Sequence, residues 1–284
     1  MTDAAVYDDT LCLLGEGPLY HPQRQELFWF DIMARRLHSK GRHWGFDRTV
    51  SAAGWVDEGT LLVASDVALM RFDLETGKTE DLCPLEADQP VTRCNDGRAD
   101  PFGGFWIGTM GRGAEHGAGA IYRFYKGELR QLYPGITIPN AICFSPDGGT
   151  AYFADTPTKK IMRQRLSDKD GWPEGEPEVH VDLNAAGHAP DGAVTDQDGR
   201  LWSAQWGSGR VAAYDTEGQE IAAVAIPAEQ VTCPAFAGAG SSTLYCTSAA
   251  VGLAESAFSE KPLSGQTFVV EVEAKGQAEH QVIL

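Results

Sequence analysis

Residues 201–218 read LWSAQWGSGRVAAYDTEG: an apolar run closing on small and polar residues, a Gly-Ser-Gly break, a second alternating run, and an Asp-Thr-Glu-Gly turn. Period-two alternation with glycine punctuation belongs to an antiparallel hairpin rather than a helix. The unit recurs along the chain. Comparable first runs begin at Leu27 (LFWFDI), Leu61 (LLVAS), Phe105 (FWIGT), Ala151 (AYFAD), Leu201 (LWSAQ) and Leu244 (LYCTS), at intervals of 34 to 50 residues. Each is followed by a second strand-like segment and a turn, such as ALMRFDLETG from Ala68 or GAIYRFYKG from Gly119. A unit of this size cannot bury both faces of its own sheet, and repeating it around an axis buries them against neighbouring copies. The expected fold is therefore all-β, a six-bladed propeller of four-stranded antiparallel blades; a large β-sandwich also supplies many short strands but not this recurrence. The last strand, TFVVEVEA from Thr267, has no full unit after it, so the N-terminal segment AVYDDTLCLL is expected to pair into the final blade and close the ring. No Pro-, Ser- or Gly-rich linker interrupts the pattern, which predicts one domain over 1–284.

Working outward from each run, a polar residue stands ten or eleven positions ahead in four of the six units: Glu16, Asn95, Asn140 and Asp191. Ser51 and Cys233 occupy the matching places in the other two. In a ring of similar blades equal offsets mean equivalent places, so two acids and two amides are expected to converge at one mouth of the central channel. Asp-Gly pairs are also ordinary turn formers, but Asp147-Gly148 and Asp198-Gly199 already fill the hairpin turns of their units. An oxygen-only cluster suits a divalent cation, because carboxylates gathered without one repel each other. With no Cys or His in the set, thiolate-type structural zinc is not expected, while Ca²⁺, Mn²⁺, Mg²⁺, Fe²⁺ and a catalytic Zn²⁺ remain open. Arg93 lies two residues before Asn95, on the same face of an extended segment, and is placed to hold an anionic or hydroxyl-rich substrate. Asp96 reads as a supporting acid or a turn residue. Glu115 and His116, in the irregular stretch GRGAEHGAG, are candidates for a lid, and Asp96 and Glu115 join Arg93 and Asn95 as expected substrate-binding residues.

Composition narrows the partners. Lys and Arg number 23 against 40 Asp and Glu, a formal charge of -17, so the surface repels phosphate backbones and anionic lipid. Neither nucleic acid nor membrane is an expected partner. The opening segment MTDAAVYDDT has no basic region leading an apolar stretch, and no run is long enough to span a bilayer. The six cysteines never fall in C-x-x-C spacing and are too sparse for a disulfide scaffold, so reduced thiols and a cytoplasmic location are expected. There is no Gly-rich phosphate loop, no Gly-x-Ser-x-Gly and no two-histidine zinc-protease spacing.

Four stretches taken together, GEGP, RCNDGRADPFGGFWIGTM, IPNAICFSPDGGTAYFADT and PDGAVTDQDGRLWSAQWGSGRV, resemble the regucalcin/gluconolactonase (senescence marker protein) family of six-bladed propellers, over about residues 13 to 250. The resemblance implies one divalent metal held by Glu16, Asn140 and Asp191. It implies that Arg93 and Asn95 contact substrate hydroxyls, or the metal through water, and that Asp191 is the general base. Family members often carry Lys after Asn-Asp-Gly where this chain has Arg98. The activity implied is a metal-dependent sugar lactonase opening a glucono-, xylono-, arabinono- or galactonolactone to the aldonate. An organophosphate or aryl-ester hydrolase on the same site, and a non-catalytic calcium-binding propeller, stand as alternatives.

Overall fold

The computed structural model describes residues 3–284. Six four-stranded antiparallel sheets form a ring, a six-bladed β-propeller with almost no helix. The innermost strands are Gly15–His21, Val50–Asp57, Thr92–Ala99, Pro139–Phe144, Ala189–Thr195 and Gln230–Phe236, for blades 1 to 6 in chain order. Every apolar run picked out in the sequence becomes the second strand of its blade: Glu26–Asp31, Thr60–Ser65, Phe105–Gly111, Thr150–Asp155, Leu201–Trp206 and Thr243–Ala249. These strands are buried nearly end to end because a neighbouring blade covers each face, and that is why they read as continuous apolar runs. The outermost strands of blades 1 to 3, Arg42–Gly45, Thr79–Pro84 and Glu128–Ile136, are largely exposed and correspondingly polar.

The ring closes as expected. Ala5–Asp8 pairs antiparallel with Thr267–Glu271 as the outer strand of blade 6, in the register Ala5 to Val269 and Val6 to Phe268. Tyr7 on that strand packs edge-on against Tyr245 of blade 6 at 4.7 Å and Trp29 of blade 1 at 6.3 Å, so one side chain ties the first blade to the last.

One irregularity is shared by all six blades. Across one short stretch each innermost strand holds one residue more than its neighbour: Glu16 to Leu19 spans Phe30 to Phe28, Asn140 to Cys143 spans Ala154 to Tyr152, and Pro190 to Ala193 spans Gln205 to Ser203. The same extra residue falls between Val50 and Ala52, Cys94 and Gly97, and Val231 and Pro234. A bulge of this kind bends a strand and re-aims its side chains. Here six bulges stand side by side around one end of the channel.

The other end is stoppered by the C-terminal segment. The Trp55 indole donates to the Glu279 carbonyl at 2.9 Å, and Val282 N–H donates to the Trp55 carbonyl at 2.8 Å. Ile283 N–H donates to Gly103 at 2.9 Å, and the Gln277 amide donates to Phe144 at 2.9 Å. Glu279 forms a buried ion pair with Arg98. All six cysteines are free, and among the described residues no helix is long and apolar enough to cross a membrane.

Candidate functional site

The bulges bring Glu16, Asn95, Asn140 and Asp191 together at the open mouth, with relative exposures of 5%, 6%, 3% and 4%. All four, with Arg93 and Thr156, line one cleft of about 420 Å³. The residues following the acids permit the approach. A Cβ on Gly17, whose φ is +52°, would meet the Ser51 carbonyl at 2.3 Å, and one on Gly192 would meet Cys233 Sγ at 2.3 Å. Asp191-Gly192 is therefore not a turn pair: its glycine lets blades 5 and 6 close around the axis.

The amides are held in one orientation by a directed chain of hydrogen bonds. Arg93 Nη1 donates to Asn95 Oδ1 at 2.8 Å. Asn95 Nδ2 donates to the Pro139 carbonyl at 2.9 Å and to Asn140 Oδ1 at 3.2 Å. Asn140 Nδ2 donates to Thr156 Oγ1 at 2.8 Å, and that hydroxyl donates to the Pro190 carbonyl at 2.8 Å. Carbonyl oxygens only accept and a guanidinium only donates, so neither amide can turn over without setting like against like. Asn140 Oδ1 keeps one lone pair for the cleft.

Glu16 and Asp191 are within hydrogen-bonding reach of each other, and neither belongs to an ion pair among the described residues. Burial pushes the Glu16 carboxyl up, and the charge of Asp96 adds to the rise. Asp191 is raised by burial, then by Glu16 and Asp96. Two such carboxyls beside an amide oxygen form a donor set that suits a hard divalent ion, whose charge removes the repulsion. The set contains two acids rather than three; among the described residues no three His, Cys, Asp or Glu side chains gather as a metal-binding group. Burial lowers Arg93 from its usual range, and its contacts with Asn95 and the Cys94 carbonyl at 2.8 Å keep the guanidinium at the cleft wall.

The other candidates fall elsewhere. Asp96 is buried beneath the cleft, where Oδ2 accepts from Ile142 N–H at 2.8 Å, and burial raises it to about 6. It braces blade 3 against blade 4 rather than lining the wall. Glu115 is exposed and folds back onto its own turn, accepting from Gly113 N–H at 3.0 Å. Gly113 and Ala114 of that stretch, not Glu115, line the cleft, and His116 reaches Thr137 Oγ1 at 3.2 Å. Arg98 points to the stoppered end. Among the other residues of the wall, to which the sequence assigns no role, are Met33, Arg112, Thr156, Trp206 and Val251. Each lies at the last residue of its blade's second strand or within two positions beyond it, a regularity the run ends already carry. Arg112 is committed to blade 2, donating to Asp66 Oδ2 at 2.5 Å and the Pro90 carbonyl at 3.0 Å.

This arrangement defines a six-bladed propeller with a buried, oxygen-rich site opening at one mouth of its channel. Residues 14–250 match the SMP-30/gluconolactonase/LRE-like region, and the chain belongs to that family, which includes sugar lactone lactonases. It is 34% identical to the L-arabinolactonase of Azospirillum brasilense, over 97% of this chain and 94% of that protein. It is 32% identical to the 6-deoxy-6-sulfogluconolactonase of Pseudomonas putida, over 94% of each. Among solved structures it resembles a calcium-binding protein, regucalcin, from Agrobacterium tumefaciens strain C58, at 42% identity and a TM-score of 0.96, covering 100% of this chain and 98% of that one.

Proposed function

We propose that this chain is a divalent-metal-dependent sugar lactonase acting in the cytoplasm, with Glu16, Asn140 and Asp191 holding the metal. The observation that carries the reading is the pair of buried carboxyls, Glu16 and Asp191, set beside an orientation-locked Asn140 oxygen in a cleft with no ion-paired cation of their own. The lactonases among its relatives supply the reaction class. When bound, the metal would supply Lewis-acid polarisation of the lactone carbonyl. Asp191 takes a proton from the attacking water as the new C–O bond forms at the carbonyl carbon, and returns it to the ring oxygen as the ring C–O bond breaks; the aldonic acid formed then ionises to the aldonate and releases a proton. Arg93 and Asn95 orient the sugar hydroxyls, and Trp206, Met110 and Ile138 provide apolar wall for the C–H faces of the ring. Asp96 ties the strand that carries Asn95 to the strand that carries Asn140, through Ile142 N–H, and Glu115 steadies the turn at the rim.

The protein is stripped with chelator and given Fe²⁺, Zn²⁺, Mn²⁺, Ca²⁺ or Mg²⁺ separately, and acid release is followed on five- and six-membered aldonolactones. Activity restored by one or more metals, and lost in Asp191→Ala with the fold intact, is the expected result; undiminished activity in that variant overturns the assignment. An all-oxygen donor set and the likeness to a calcium-binding regucalcin favour one second reading, a calcium-binding propeller without turnover. Tight Ca²⁺ binding with no lactone hydrolysed under any metal would establish it.

A further inference from the structure

Thr156 closes the stretch IPNAICFSPDGGTAYFADT, and neither the sequence pattern nor the family resemblance gives it a role, yet it sits where two proposed ligands are joined. It opens the 3₁₀ turn Thr156–Thr158, directly after the second strand of blade 4, with Pro157 stiffening the turn. Its N–H donates to the Ile138 carbonyl at 3.0 Å, two residues before Asn140. Its hydroxyl hydrogen goes to the Pro190 carbonyl, one residue before Asp191, at 2.8 Å. With that hydrogen committed, Oγ1 can only accept, and what it accepts is the Asn140 NH₂ at 2.8 Å.

We infer that Thr156 is a positioning residue: its hydroxyl, accepting from the Asn140 NH₂ at 2.8 Å, works with the longer 3.2 Å donation from Asn95 Nδ2 to Asn140 Oδ1 to select which end of the amide faces the cleft, and so presents oxygen rather than nitrogen to the cation. An NH₂ group carries no lone pair for a metal, so an amide free to turn over spends part of its time repelling the ion. Partners of this kind, one layer out from a metal ligand, typically change affinity by about 10–100-fold when removed. The Pro190 contact adds a second effect, because the same hydroxyl ties the blade 4 ligand to the strand that carries Asp191.

The inference rests on the proposed metal-holding role of Asn140 and not on the lactonase activity. Mn²⁺, Zn²⁺ and Ca²⁺ are titrated calorimetrically into the metal-free parent, Thr156→Val and Thr156→Ser, with folding checked by circular dichroism and thermal unfolding. The valine keeps the shape and loses the hydroxyl; its binding is expected to weaken about 10-fold or more, with serine restoring it to within about threefold of the parent. The pair is then repeated in an Asn140→Asp background, where both terminal atoms are oxygen and no wrong end exists. There, Thr156→Val is expected to lose most of its effect, a coupling that general loosening of the turn would not produce. A folded Thr156→Val that binds as tightly as the parent overturns the role of Thr156 alone, as does a serine variant no better than valine. An equal loss in the Asn140→Asp background does the same. A parent that takes up none of the three ions overturns the metal site and this inference together. Lactone turnover, followed separately, bears only on the activity.

Discussion

Burial pushes both the Glu16 and the Asp191 carboxyls up; the charge of Asp96 adds to the rise in Glu16, and those of Glu16 and Asp96 add to the rise in Asp191. The sign of the pH dependence follows. A metal needs the ionised forms, so binding expels whatever proton the pair retains, and affinity falls as pH drops, by up to about tenfold per pH unit for each proton displaced. Calorimetric titration at pH 8 and pH 6, in buffers of different ionisation enthalpy, is expected to show this proton release; a pH-independent affinity would remove these carboxyls from the ligand set. The acids themselves were legible at this scale, since Glu16, Asn95, Asn140 and Asp191 stand at matching offsets before recurring runs. Their supporting residues were not. Nothing in the local sequence distinguishes Thr156 from any other threonine after a strand, because its role is defined by the Pro190 carbonyl on blade 5 and an amide on the neighbouring inner strand.

At the scale of strands, the shared bulge explains why equal offsets became converging side chains. A regular strand would send alternate residues to opposite faces, whereas one extra residue per inner strand turns the polar group toward the axis. The tight spacing this creates leaves no room beside Cys233, so Gly192→Ala is expected to cost about 1–3 kcal/mol in chemical denaturation by pushing blades 5 and 6 apart. Because that shift moves Asp191 as well, metal affinity is expected to fall with it. Closure of the ring lives at this scale too. Tyr7 joins Trp29 and Tyr245 across the seam, and Tyr7→Ala is expected to lower unfolding stability by about 1–2 kcal/mol, a loss read from the midpoint of a urea transition. An unchanged midpoint would mean that strand pairing alone, not the aromatic contact, holds the seam.

Across the whole molecule the channel has two different ends. One is open and lined with acceptors, the other closed by a tail that touches blades 2, 3 and 4 and buries Glu279 against Arg98, three residues beyond Asn95 on the same inner strand. Removing one partner strands the other charge, so Glu279→Ala is expected to cost about 3–5 kcal/mol, while replacing both by apolar residues of similar volume is expected to cost far less. Equilibrium unfolding of the single and double variants checks this, and a small loss in Glu279→Ala would show that water reaches Arg98. By itself the sequence determined the hairpins, their number, the closing N-terminal strand and the four polar positions. Alternation, turn glycines and repeat spacing are local properties, and a repeated unit transmits them unchanged into the ring. Only the tertiary structure decided which way the amides face, why glycine follows each acid, that Asp96 and Glu115 stand off the cleft wall, and that Arg98 belongs to the stopper. Each of these is settled by an atom distant in the chain, such as the Pro190 carbonyl, Cys233 Sγ or the Glu279 carboxylate, whose position exists only once six blades have closed around one axis.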